Sequence, residues 1–117
     1  MVEDEVLIQM VVTEGLEELG FKVDVAGSAS EAKTTLHELI GAVDAAVIDM
    51  GLPDAKGDEL VRDLRANYPA LPIVIASGQD EGSLRHLFSG RTSMAFLGKP
   101  YTIENLCNAL RAVGVLI

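Results

Sequence analysis

With 18 acidic residues against 9 basic ones, this chain of 117 residues carries a formal net charge of -9, which repels nucleic-acid backbones and anionic membranes. Its 49% hydrophobic content suffices for one packed core, so one domain over residues 1–117 is expected. A single cysteine excludes an internal disulfide; with no secretory leader and no apolar run long enough to span a bilayer, the expectation is a cytoplasmic, membrane-free protein.

Taken in chain order, Ile8, Val11, Val12, Leu16 and Leu19 recur at helical spacing within residues 5–19, and Gly20 stands where a left-handed cap belongs. Residues 21–26 read as a short strand. Ser28 and Glu31 have capping-box spacing for a second helix running to Ile40, with Leu36, Leu39 and Ile40 as its buried stripe. Residues 44–49 form an apolar strand that ends on the carboxylate of Asp49. A loop with Gly51, Pro53 and Gly57 then leads to a helix carrying Leu60, Val61 and Leu64. Residues 71–77 repeat the apolar strand and end on Ser77. A weaker helix is expected around residues 83–88, then a strand over 94–97 before Lys99 and Pro100, and a last helix capped by Thr102 and carrying Ile103, Leu106, Leu110 and Val113.

Strands apolar on both faces, alternating with amphipathic helices, predict a parallel sheet covered on both sides, with five strands and five helices. Such sheets bind ligands beyond the carboxyl ends of their strands. Here those ends carry Glu3 and Asp4, then Asp49, Ser77 and Lys99. Three carboxylates held together repel unless a cation compensates, and the oxygen donors suit Mg2+. Asp4, Asp49 and the backbone carbonyl of Gly51 suffice as ligands, with Glu3 acting through water. A carboxylate can attack phosphorus to give an acyl phosphate, and a lysine ammonium and a serine hydroxyl then stabilise the transferring group. Taken singly, each residue has a plainer explanation: acidic residues favour a helix start, an aspartate a turn, a serine a strand end, a lysine the solvent, and Phe96 ordinary packing. Cys107 reads as a buried thiol, and His37 and His86 lack metal-ligand spacing.

The ordered set resembles the response-regulator receiver domain, the CheY-like phosphoacceptor of two-component signalling. The acidic pair Glu3 and Asp4, the strand end at Asp49 with Pro53 and Gly57 after it, Ser77, and Lys99 with Pro100 follow that family's order. The resemblance implies a flavodoxin-like (βα)5 sandwich with sheet order 2-1-3-4-5. It implies Asp49 as the phosphoacceptor, Glu3 and Asp4 as the metal-binding acidic pair, Ser77 and Lys99 against the phosphoryl group, Ser77 and Phe96 as switch residues, and a cis Lys99–Pro100 bond. It further implies a histidine kinase or phosphotransfer protein as donor. A downstream protein target is expected on the face of the fourth helix, fifth strand and fifth helix, near Leu84, Arg85, Phe88 and Tyr101, and homodimerisation stays open.

Two departures stand out. Only Met1 and Val2 precede Glu3, so the first strand is truncated, an expectation of a chain cut from a longer one such as a hybrid kinase. Gly51 occupies a position where many receivers carry a side chain that modulates dephosphorylation, and Gln79 is a second candidate for tuning it. A magnesium-dependent phosphatase of the haloacid-dehalogenase type needs a second aspartate at position 51. Glycine there disfavours turnover, so the expected activity is self-catalysed transfer with slow self-dephosphorylation rather than enzymatic catalysis. A phosphorylation-independent docking module is the remaining alternative.

Overall fold

The computed structural model describes residues 1–39, 42–50, 57–78, 94–99 and 101–115, with the side chains of 57 and 58 excepted. Its elements are α1 (Val6–Glu18), α2 (Ala29–Glu38), β1 (Ala46–Asp49), α3 (Gly57–Asn67), β2 (Ile73–Ser77), β3 (Met94–Gly98) and α4 (Ile103–Ala112). The helix expected over 83–88 lies outside the described residues, as do Ile40, Gly51, Pro53, Gln79, Leu84, Arg85, His86, Phe88 and Pro100.

The three strands are parallel in the order β1-β2-β3. Val2 extends the sheet by isolated parallel bridges to Ile48 on one side and Ala26 on the other. One rung therefore runs Ala26, Val2, Ile48, Ile75, Phe96, which is the 2-1-3-4-5 order of a flavodoxin-like sheet. The expected strand over 21–26 is reduced to the single bridge at Ala26. A ladder needs a partner of equal length, and only Met1 and Val2 lie beside this segment, bonded through Ala26 N–H to the Met1 carbonyl and Glu3 N–H to the Ala26 carbonyl.

Strand side chains alternate between two cores, as the period of 2 requires. Ala46, Ile48, Ile73 and Ile75 pack with Leu60, Val61 and Leu64 of α3 and with Ala29 and Ala32 of α2. Val47, Val74 and Leu97 pack on the opposite face with Val12 and Leu16 of α1 and Leu106, Cys107 and Leu110 of α4. The result is three layers, α1 and α4, then sheet, then α2 and α3. Cys107 is a buried free thiol.

Two apolar stripes differ from expectation. In α1, Val12 and Leu16 are buried but Val11 and Leu19 are 57% and 53% exposed. At about 100° per residue, Val11 is turned a full quarter away from Val12, and Leu19 is the C-cap rather than part of the packed turns. In α2 the buried residues are Ala29 and Ala32, whose small side chains bring the helix close to the sheet. Leu36 packs at the margin and Leu39 is the half-buried C-cap.

The expected ends hold. Ser28 accepts from Glu31 N–H at 3.2 Å, although the Glu31 carboxylate accepts from Gly27 N–H, one residue before the N-cap. Thr102 and Asn105 form a reciprocal capping box at the start of α4, and Gly20 adopts φ +94°, the left-handed conformation that closes α1. Gly15 leaves room for Ile103 where α1 meets the start of α4: a β-carbon there would come within 2.7 Å of the Ile103 side chain.

Candidate functional site

Backbone hydrogen bonds tie the strand ends into one edge. Asp49 N–H donates to the Val2 carbonyl at 2.9 Å, Met50 N–H to Ala76 at 3.1 Å, and Lys99 N–H to Ser77 at 2.9 Å. This lacing brings together Glu3, Asp4, Asp49, Ser77 and Lys99, residues far apart in sequence. The Gly51 carbonyl, the fourth metal ligand expected, lies outside the described residues.

Glu3, Asp49 and Ser77 are the buried polar and charged residues among those described, at 1%, 7% and 3% exposure. Burying carboxylates is expensive unless they are paired. The pairing is supplied by Lys99, whose Nζ lies 2.9 Å from Asp49 Oδ1 and 3.1 Å from Glu3 Oε1. Burial, reinforced by a hydrogen bond shared with Asp49, pushes the Glu3 carboxyl up to about 7, with Lys99 pulling the other way. For Lys99 burial acts to lower its pKa, yet the hydrogen bonds and charges of Asp49 and Glu3 outweigh it and hold the ammonium above its ordinary value. Tyr101 is raised by burial and by the charge of Glu3, which places its phenol in the same field.

Carboxylate oxygens of Glu3, Asp4 and Asp49 lie within 4.8 Å of one another, with Asp4 exposed and the other two buried. Three hard oxygen donors at this spacing, with one of them open to solvent, fit a divalent cation such as Mg2+ that keeps part of its water shell. Phe96 is half buried, packs on the α2 and α3 core, and pairs in register with Ile75, one residue before Ala76 and two before Ser77.

One contributor escaped the sequence reading. The Gln9 side-chain amide donates to the Glu3 carbonyl, and Glu5 N–H donates to Glu3 Oε2 at 3.3 Å, so the first turns of α1 hold the acidic segment in place. The available signal was a glutamine on the flank of the buried stripe of α1, six residues after Glu3.

The sequence profile of the response regulator receiver domain matches residues 1–111. The chain is 31% identical over 111 residues to the sensor kinase CckA of Brucella abortus, covering 95% of this chain and 12% of that protein. It is 31% identical over 115 residues to the transcriptional regulatory protein PhoP of Escherichia coli, covering 97% of this chain and 50% of the regulator. The chain thus spans half or less of these curated relatives. A receiver-domain structure from Clostridium thermocellum superimposes with a TM-score of 0.87 at 24% identity, covering 96% of this chain and 89% of the other, and shows the same fold. Receiver domains bind Mg2+ at an acidic pocket and work with histidine kinases and downstream effectors. With a profile match over nearly its whole length, the chain belongs to the response regulator receiver domain family of two-component signalling.

Proposed function

We propose that Asp49 is the phosphoacceptor of a single receiver module formed by residues 1–117. The observation that carries this is the Lys99 ammonium, shared by Asp49 Oδ1 and Glu3 Oε1 at a strand-end cluster of three carboxylates. An Asp49 oxygen attacks the phosphorus of a phosphohistidine. The new O–P bond replaces the N–P bond, and the imidazole leaves with its electron pair and takes a proton from solvent. Lys99 moves its charge onto a phosphoryl oxygen as Asp49 becomes an acyl phosphate, and the Ser77 hydroxyl, buried at the adjacent strand end, donates to a second one.

Asp4, Asp49 and Glu3 would hold Mg2+, with the Gly51 carbonyl as a further ligand. When bound, the ion neutralises charge on the carboxylates and on the incoming phosphoryl group. Gly51 provides no acid or base two residues after Asp49, which suits storage and slow self-dephosphorylation better than enzymatic turnover. Ser77 and Phe96, on adjacent strands, act as the switch that alters the surface around β3 and α4 offered to a downstream protein. Among the described residues no helix is long and apolar enough to cross a membrane, which accords with a cytoplasmic module.

Incubation with acetyl phosphate and Mg2+ tests the reading by intact mass. One phosphoryl group is expected on the wild type, none with chelator and none on Asp49→Asn. An unmodified wild type, or an equally modified Asp49→Asn, contradicts it.

A further inference from the structure

Every backbone and side-chain polar group of Glu3 is engaged. Its N–H donates to the Ala26 carbonyl at 2.9 Å, its Oε1 accepts from Lys99, its Oε2 accepts from the Glu5 N–H, and its carbonyl accepts from the Gln9 side-chain amide. Asp4 is placed differently. It is exposed, and it lies with Glu5 in the short step between the strand end at Glu3 and the start of α1 at Val6. Glu5, the N-cap, adds no side-chain cap to stiffen that step. An exposed carboxylate on a linker of this kind has several orientations open to it, and selecting the one that faces Asp49 is a cost charged against metal binding.

Gln9 removes that freedom. The Glu3 carbonyl and the Asp4 N–H belong to one planar peptide unit, so a donor seated on the carbonyl fixes the plane from which the Asp4 side chain projects. Gln9 is itself anchored. Its backbone N–H donates to the Glu5 carbonyl at 3.0 Å, closing the first turn of α1. A β-carbon at Gly27 would lie 3.7 Å from Gln9 Nε2, so the amide rests against the loop that opens α2. The chemistry of the side chain matches the task. A carbonyl needs a donor, which a glutamate or an apolar residue of the same reach lacks, and the amide supplies one with no added charge beside the three carboxylates.

Resting on the proposed Mg2+ site, we propose that Gln9 is a positioning residue for that site: by holding the Glu3–Asp4 peptide it preorganises the Asp4 carboxylate towards Asp49 and so raises the affinity for the divalent cation. Gln9 acts through Asp4 alone. Its contribution to phosphoryl acceptance is therefore felt when Mg2+ is limiting and vanishes when Mg2+ is saturating.

Mg2+ titration of the isotopically labelled chain, followed by nuclear magnetic resonance at the Asp4 and Asp49 amides, tests the assignment. Gln9→Met, similar in length and without a donor, is expected to raise the Mg2+ dissociation constant by about tenfold. In chelator it is expected to lower the order parameter of the Asp4 amide and to leave that of Val47 unchanged. With acetyl phosphate, the Mg2+ concentration for half-maximal rate is expected to rise by the same factor, with the rate at saturation unchanged. Gln9→Asn keeps the amide one methylene short of the carbonyl and is expected to follow Gln9→Met, which preserves the test if the methionine variant does not fold. In an Asp4→Asn background the effect of Gln9→Met is expected to shrink to less than about twofold, whereas general damage to α1 adds equally in both backgrounds. Equal effects in the two backgrounds, wild-type affinity in the Gln9 variants, or an Asp4 amide as ordered as in the wild type would each overturn the positioning role. A wild-type chain that binds no Mg2+, or an Asp4→Asn variant that binds it as tightly as the wild type, would instead overturn the metal site itself.

Discussion

The Lys99 ammonium sits 2.9 Å from Asp49 Oδ1, and the same nitrogen contacts Glu3, so one cation serves two buried carboxylates. Removing it leaves two buried carboxylates without their shared cation. Lys99→Met is expected to lower stability at pH 8 by about 1.5–3 kcal/mol in the absence of divalent ions, read by urea denaturation. Mg2+ is expected to recover part of the loss, because the cation replaces the missing charge. An unchanged urea midpoint would show that the ion pair contributes nothing to the fold.

Glu3 gives the site a pH dependence of definite sign. Its native pKa of about 7 exceeds the reference value of 4.5, so between those values the folded chain holds a proton that the unfolded chain has lost. The contribution of Glu3 to metal-free stability is therefore fully present below about 4.5 and is lost as pH rises towards 7. Urea titrations with chelator are expected to show this decline in the wild type and a flatter profile in Glu3→Gln. With Mg2+ present the trend reverses, since ligand carboxylates must be deprotonated and the stabilisation by bound metal grows with pH. Parallel profiles for wild type and Glu3→Gln would remove Glu3 as the source.

Packing predicts a sharp contrast between two β-branched residues. Ile48, 0% exposed in the central rung, is expected to lose about 2–5 kcal/mol on Ile48→Ala. Val11, at 57% exposure on the outer face of α1, is expected to change stability by no more than about 0.5 kcal/mol on Val11→Ala. Comparable losses at both sites, measured by thermal or urea unfolding, would contradict the placement of α1.

That contrast also marks how far the sequence alone carries. The apolar runs ending at Asp49 and Ser77 were legible as buried strands because both of their faces are covered, and the caps at Ser28 and Thr102 were legible because capping chemistry is local. The stripe of α1 was not, since Val11 and Leu19 are as hydrophobic as the residues that face the sheet and only the packed structure distinguishes them. In α2 the close contacts are made by Ala29 and Ala32, residues too small to register as an apolar stripe. At the site, Glu3, Asp49 and Lys99 could be named from their positions at strand ends, but their division of labour could not. That Glu3 is buried and takes part of the Lys99 ammonium while Asp4 faces solvent follows from tertiary contacts, as does the hold of Gln9 on the Glu3 backbone.

The most direct measurement of the central claim locates the acyl phosphate itself. The chain is treated with acetyl phosphate and Mg2+, the adduct is reduced with borohydride, and the peptides are sequenced by tandem mass spectrometry; an aspartyl phosphate is thereby converted to homoserine. Homoserine at position 49 and nowhere else is the predicted result. Reduction product at Asp4 or Glu3 instead, phosphate on His37, or no modified peptide would contradict it.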